Sequence, residues 1–528
     1  MSEPSPSPAS SPADRSARAL GAFEVALILA VFYLSAGWPP PEVNEPHYLA
    51  KARHYWDPAW GPKDFFLGTA DAHQVFYWTF GWLTLWMPLG AVAWVGRLIT
   101  WTLLAWSWRR LSVAIAPGPL SAVLSAALFV AGSSHAQLAG EWVVGGLEAK
   151  GVAYALVFFA LGQIIRGRWT GAWLLLGGAT AFHPLVGGWS AIAAGVVWLA
   201  AGDERPPLRH TIPAWLGMAL LAAPGVLPAL ALTRGVDAAT VAEANQIYVE
   251  RLEHHLAFHT FAVDARIRFA ALAIAWAIVA ALAPRGSAER RLRWFVGASL
   301  AIAAGGVAID LGLGRHERLS DALLRYYWFR LADAMVPAGA ALGAVAVLTA
   351  LLARRTVAGP AWLLALLLAA GAHLGDVLYL RLVELEYPSP PADWSTEDPD
   401  AWREICRWAR ENTPPDAVFL VPRTSETFRW WTDRAEVVSR KDIPQDARGI
   451  IAWRERMVDL YWRPAAGNEP AGWRGSLASL GAERLAELGA KYDADYVVTS
   501  AYPPLRLRRV SPPNAAYAVY KLPRSAGR

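Results

Sequence analysis

Residues 20–37 read Leu-Gly-Ala-Phe-Glu-Val-Ala-Leu-Ile-Leu-Ala-Val-Phe-Tyr-Leu-Ser-Ala-Gly, and after a proline run the chain continues Asn44-Glu45-Pro46-His47-Tyr48. The first stretch matches a membrane span, since roughly 20 apolar residues cross the hydrocarbon as a helix. It has no clear small-residue cleavage site, so it reads as a retained first span and not a leader. Acids and histidines follow just outside it, with Asp71-Ala72-His73 downstream. Ionisable groups at the mouth of an apolar bundle mark a place where a ligand is handled.

Further apolar runs recur along the 528 residues, of which 55% are hydrophobic and only 18% charged, with positive mean hydropathy. A soluble enzyme of this length carries more charge. Backbone groups inside a bilayer must be paired within the segment, so runs of this kind are helices. The 28 tryptophans suit rings placed at membrane interfaces. The net charge of +5 is small and gives no sign of a nucleic-acid partner. Cys406 is the single cysteine, which excludes an internal disulfide framework and a Cys-based zinc site.

Basic short loops at 109–110, 166–168, 205–209, 285–293 and 354–355, placed inside with Arg15 and Arg18, orient the spans. The threading gives eleven: 20–38, 86–107, 118–138, 150–165, 169–183, 187–201, 211–232, 267–284, 294–313, 333–353 and 360–382. The N-terminus is then cytoplasmic and the C-terminus outside. The fold class expected is mostly α, a polytopic helical bundle over 15–385 with a soluble α/β domain over 386–528. Residues 1–14, rich in Pro and Ser, read as a disordered cytoplasmic tail. Polar outer loops fall at 39–85, 233–266 and 314–332, and 75–85 reads as a helix lying in the interface.

Near residue 386 the composition changes. Pro388, Pro390 and Pro391 mark a linker, and 40 of the 93 charged residues lie beyond it. Helices are expected over 402–412 and 449–462, and strands over 417–421, 435–439, 495–500 and 516–522. No phosphate-binding glycine loop and no Ser/His/Asp elbow is visible there.

Five groups could carry chemistry. The first outer loop holds Glu45, Asp57, Asp64 and Asp71 with His47 and His73. Such carboxylates could activate an acceptor nucleophile or hold a divalent cation beside a phosphate; the plainer reading is a solvated loop. Glu141, Glu148 and Lys150 flank the entry to a span, as a site or as an ion pair capping the helix. Along 248–259, helical spacing puts Glu250 beside His254 and His255 beside His259, a pattern for a phosphate or a metal that still needs a third ligand. Arg325, Arg330 and Asp333 enter a span. Arg330 suits a lipid phosphate, or it could snorkel to headgroups or pair with Asp333. His183-Pro184 reads as a structural turn.

The run Pro41-Glu42-Val43-Asn44-Glu45-Pro46-His47-Tyr48, followed by Ala50-Lys51-Ala52-Arg53 and by Asp71-x-His73, resembles the first outer loop of the GT-C superfamily. Those are integral membrane glycosyltransferases using polyprenyl-phosphate sugars. The likeness is to the protein O-mannosyltransferase and aminoarabinose transferase branches and to an uncharacterised bacterial branch. It implies a GT-C-like bundle in the inner (plasma) membrane and a polyprenyl-phosphate-linked sugar as partner. It does not imply which acceptor is used. Glu45, then Asp71, would be the catalytic acids, with Asn44 standing where the family has Asp. Arg330, His254, His255 and Lys150 would meet the donor phosphate. His47, His73, Glu148, His259 and Asp333 are further site candidates. No cofactor is called for beyond a possible divalent cation. A transporter or flippase of a lipid-linked or anionic solute is the rival from another class, and a non-catalytic scaffold is the third reading, supported by Asn44.

Overall fold

The computed structural model describes residues 12–314, 317–384, 389–465 and 470–523. Most of the tail expected at 1–14, and Pro388 of the expected linker, lie outside them. The N-terminal part is helical: α1 (Pro12–Ala36), α2 (Glu45–Trp56), α3 (Gln74–Phe80), α4 (Leu89–Ile115), α5 (Ser121–His135), α6 (Ala149–Ile165), α7 (Trp169–Phe182), α8 (Pro184–Ala200), α9 (Leu208–Ala231), α10 (Ala238–Leu256), α11 (Val263–Leu282), α12 (Ser287–Gly312), α13 (Glu317–Leu324), α14 (Arg330–Ala353) and α15 (Ala358–Tyr379).

Each of the eleven apolar stretches coincides with one of these helices. Seven are long and apolar enough to cross a membrane, namely α1, α4, α9, α11, α12, α14 and α15. This is a membrane protein. The helices α5, α6, α7 and α8 have 15, 17, 14 and 17 residues. At 1.5 Å per residue they reach about 21–26 Å, short of a hydrocarbon core of about 30 Å.

α14 is the pillar, packed against α5, α11, α12 and α15. Its sequence is dominated by Ala, Gly and Val, and small residues let helix backbones come close in an apolar medium. Gly339 shows the requirement: a Cβ there would stand 2.7 Å from Val296 and 2.8 Å from the Trp276 indole nitrogen. By contrast α9, α11 and α15 leave Leu and Ile side chains exposed, as faces turned to lipid do. The interfacial element expected over 75–85 is α3 and a following short 3-10 turn, with Trp78, Trp82 and Trp86 exposed.

Beyond residue 390 a small α/β unit follows: α16 (Pro399–Asn412), β1 (Val418–Leu420), α17 (Phe428–Thr432), β2 (Ala435–Glu436), α18 (Ala447–Tyr461), β3 (Trp462–Arg463), β4 (Gly472–Trp473), α19 (Gly481–Tyr492), β5 (Tyr496–Ser500), β6 (Arg508–Arg509) and β7 (Tyr517–Lys521). The main sheet runs β2-β1-β5-β7-β6, parallel across β2, β1 and β5 and antiparallel beyond. The strand expected over 435–439 is only two residues long: the chain leaves the sheet after Glu436, and Asp442, held by Ser439, reaches His47 of the first loop.

The two parts meet through buried charge. Arg429 of α17 donates to Asp64 at 3.2 Å, to Glu436 at 2.9 Å and to Asp442. The Glu436 amide donates to Asp64, and His47 of α2 meets Asp442 at 3.1 Å. Asp64 is therefore not a solvated loop acid. It is buried and clamps the loop to the α/β unit.

Candidate functional site

The N-termini of α6, α8 and α14 converge at one end of the bundle. Their first residues bring Lys150, His183 and Arg330 together. Unpaired amides and the helix dipole make such ends favourable to an anion. Arg330 Nη1 lies 3.0 Å from His183 Nε2, and its Nε lies 3.0 Å from Glu141 Oε2. Lys150 Nζ lies 3.8 Å from Glu141 and 3.3 Å from Glu148. Asn44 closes the chain by donating to Glu148 Oε1 at 3.1 Å. Residues from the first loop, the 136–148 turn and three helices thus form one polar cluster.

Local structure sets each member. Pro184 starts α8; His183 Nε2 accepts from Arg330 at 3.0 Å, so the ring proton sits on Nδ1, which lies 3.4 Å from the Val186 amide without accepting from it. The expected turn is there, and it also delivers a site residue. Tyr327 adopts φ +55°, a left-handed backbone uncommon for an aromatic residue. That turn sets its ring 4.0 Å from the Arg330 guanidinium. Asp333 does not pair with Arg330. Its carboxylate accepts from the amides of Leu138, Ala139 and Glu141, at 2.7, 2.8 and 3.4 Å, and so fixes the turn that carries Glu141.

Glu45 is not an exposed loop acid. It has no solvent contact, and Arg97 of α4 holds both its oxygens at 2.6 Å. The amides of Glu42 and Leu147 donate to it as well, both at 2.8 Å. Every acceptor direction is taken, which suits a structural anchor and not a base. Asp71 is likewise engaged, 3.2 Å from Lys51 and accepting from Tyr77 and the His73 amide. Burial alone would raise its pKa, but Lys51 and these donors hold it below the usual carboxylate range.

Glu42 is different. Its side chain is half-buried, and among the described residues its carboxylate has no ion-pair partner. It lies over Gly146, where a Cβ would stand 2.9 Å from Oε2, so this close approach needs glycine. Burial, then Glu148 and Glu45, push its pKa up to about 7 against the pull of Lys150 and Arg97. A carboxyl poised near neutrality is suited to proton transfer. Glu42 lies within the quoted loop motif, but nothing in its spacing sets it apart from Glu45.

His73, His254 and His255 are poor cations. Burial lowers the pKa of His73 to about 4 and of His255 to about 3, and His254 falls to about 4 through burial and then Arg251, Arg440 and Lys441. His255 Nδ1 donates to the Ala139 carbonyl at 2.5 Å, leaving Nε2 as an acceptor. A neutral acceptor nitrogen cannot hold a phosphate oxygen. His255 still reaches the cluster, with its ring 6.4 Å from Tyr327. His73 packs 5.5 Å from His183 and meets the Tyr48 hydroxyl at 3.4 Å. The helical pairings expected along 248–259 are broken. Leu252 leaves the helical region and α10 stops at Leu256. Glu250 turns to Arg454 at 3.6 Å, and His259 pairs with Asp310 at 2.9 Å. Arg325 faces Asn245 and Tyr248, away from the cluster. Among the described residues no three His, Cys, Asp or Glu side chains are grouped to hold a metal ion.

A family model described as a domain of unknown function, DUF6798, matches residues 400–460. That segment runs from α16 to the end of α18 and contains Arg429, Glu436 and Asp442, the groups that clamp the first loop. No curated protein matches the chain.

Proposed function

We propose that this chain is a GT-C-type membrane glycosyltransferase with an eleven-span bundle. It moves a sugar from a polyprenyl-phosphate donor to an acceptor at the outer membrane face, where the α/β unit also lies. The observation that supports this most is the convergence of three helix N-termini with Arg330 and Lys150, beside the half-buried Glu42. Cations and amide ends suit the donor phosphate, and a carboxyl poised near neutrality suits the acceptor.

In the reaction the acceptor oxygen forms a bond to the anomeric carbon as the bond from that carbon to the phosphate oxygen breaks. The acceptor proton passes to Glu42. The electron pair leaves with polyprenyl phosphate, whose charge Arg330 and Lys150 stabilise. Asp333 acts indirectly, by holding the turn that orients Glu141 towards Arg330. A transporter or flippase needs charged groups along a path through the membrane. Here they gather at one end of α6, α8 and α14, which favours transfer.

The test is binding of a polyprenyl-phosphate analogue to the purified chain in nanodiscs. Arg330→Ala should weaken it by one to two orders of magnitude, since a lost charge-assisted contact costs roughly 1.5–3 kcal/mol. Arg330→Lys should recover part, because an ammonium lacks the guanidinium fork. Unchanged affinity with a lowered unfolding midpoint would make Arg330 only the structural partner of Glu141. Orientation is checked with a reporter active only in the cytoplasm, fused after Arg528, which should be silent.

A further inference from the structure

Where α10 meets the α/β unit, four cations crowd together: Arg251 on α10, and Arg423, Arg440 and Lys441 in the segment around β1 and β2. Arg251 Nε donates to the Arg440 carbonyl at 3.0 Å, and the Arg440 amide donates to the Arg423 carbonyl at 2.9 Å. Among the described residues none of these four side chains forms an ion pair, and Arg423 Nε is buried with no hydrogen-bond partner. Glu426 lies among them, while Asp442, next to Lys441, is committed to Arg429 and His47, so the cations outnumber the acids left to them. Like charges gathered in excess of their counterions oppose folding and mark a seat for an anion.

The seat continues in two directions. Inward, the His254 ring lies 4.1 Å from that of His255, whose ring lies 6.4 Å from Tyr327, which in turn covers Arg330. Outward, Arg423 lies 5.7 Å from the ring of Trp473. Trp473 and Trp462 pair edge to face at 5.1 Å across the β3–β4 ladder. Both stay more than a third exposed, at 39% and 37%. Beyond their own pairing and the Arg423 and Arg454 contacts on Trp473, both indoles keep open surface. Their faces suit the C–H face of a sugar ring.

We propose that this surface is the acceptor seat and that the acceptor is an anionic saccharide, with its carboxylate or phosphate groups on Arg251, Arg423, Arg440 and Lys441 and a sugar face on Trp473 and Trp462. The potential there is already felt by its neighbours. His254 is driven down to about 4 and Arg251 to about 10, in each case by burial first and then by the adjoining cations. Three of the four cations lie within residues 400–460, which gives the matched domain a binding task as well as a clamping one. The word acceptor rests on the transfer reaction proposed above; the anion seat does not.

The experiment uses the full chain in non-ionic detergent, with tetragalacturonate as the anionic probe and maltotetraose as the neutral one, followed by calorimetry. The wild-type chain should bind tetragalacturonate at least tenfold more tightly than maltotetraose. Arg440→Ala combined with Lys441→Ala should weaken the anionic probe by at least tenfold without lowering the unfolding midpoint. Trp473→Ala should weaken it further, and Arg330→Gln should leave it unchanged. No binding by the wild-type chain, or equal binding by the double variant, overturns the proposal. So does loss of binding in Arg330→Gln, which would move the anion to the donor end. If nanodiscs of phosphatidylglycerol, but not of phosphatidylcholine, block the probe, the anion is a lipid headgroup and the acceptor assignment falls. The polyprenyl-phosphate measurement on Arg330 is separate, so either reading can fail without the other.

Discussion

Arg97 and Glu45 form a two-point pair, Nε to Oε1 and Nη2 to Oε2, each at 2.6 Å and each without solvent contact. It joins α2 to α4, and Arg97 Nη1 also holds the Trp38 carbonyl at 2.5 Å. The first loop therefore hangs from a span by a fully desolvated ion pair. That fixes the backbone on which Glu42 and Asn44 are carried.

Breaking such a pair from one side leaves the other charge buried and alone, which costs about 3–5 kcal/mol. Glu45→Gln and Arg97→Gln should each lower the unfolding midpoint of the solubilised chain markedly. Midpoints equal to wild type would show that the pair holds nothing.

Glu42→Gln should do the opposite, leaving the midpoint near wild type and lowering transfer by roughly 10²–10⁴-fold, the usual worth of a general base. In the wild-type chain the rate should rise with pH through about 7, because the base works only once its proton has left. Transfer by Glu42→Gln at wild-type speed would place the base elsewhere.

The helices were legible because hydrophobic length is a local property, and all eleven apolar stretches are helical. The site was legible only in part. Arg330, Lys150 and Glu148 stood out as charged groups at span entries and Asn44 by its place in the first-loop motif, and they do meet. Glu45 stood out equally, yet its partner Arg97 lies 52 residues away inside a span, and no spacing announces that contact. His183 carried a turn signature from Pro184, while its second nitrogen finds Arg330 across 147 residues. The pairing of His255 with His259 failed because it assumed a continuous helix, and α10 ends between them.

Two imidazoles, the buried His73 and the half-buried His255, tie stability to acid. Their folded pKa values, about 4 and about 3, lie below the unfolded value near 6.5. The folded chain then binds fewer protons, so this stability is complete above about pH 6.5 and is lost as pH falls towards 4. Denaturation between pH 7.5 and 4.5 should show the decline, and His73→Asn should make it shallower. A flat profile in the wild-type chain would mean that both rings protonate freely.

The clamp between the first loop and the α/β unit responds at the other end of the scale. Arg429 faces Asp64, Glu436 and Asp442, so carboxylates outnumber guanidinium in a buried space. Glu436 Oε2 meets no donor. Burial, with Asp442 and Asp64 beside it, raises Glu436 to about 8 despite Arg429. Its folded pKa thus exceeds the unfolded value near 4.5, and the folded chain holds the extra proton. By linkage, this stability is complete below about pH 4.5 and is lost as pH rises through about 8. The wild-type midpoint should therefore fall between pH 7 and 9. Glu436→Gln, which keeps the shape and cannot ionise, should fall less over that interval, while Arg429→Ala should cost about 3–5 kcal/mol across it by stranding the acids. Parallel declines in the wild-type chain and Glu436→Gln would show that the proton sits on another carboxyl, and Arg429→Ala at wild-type stability would show that the clamp carries no load.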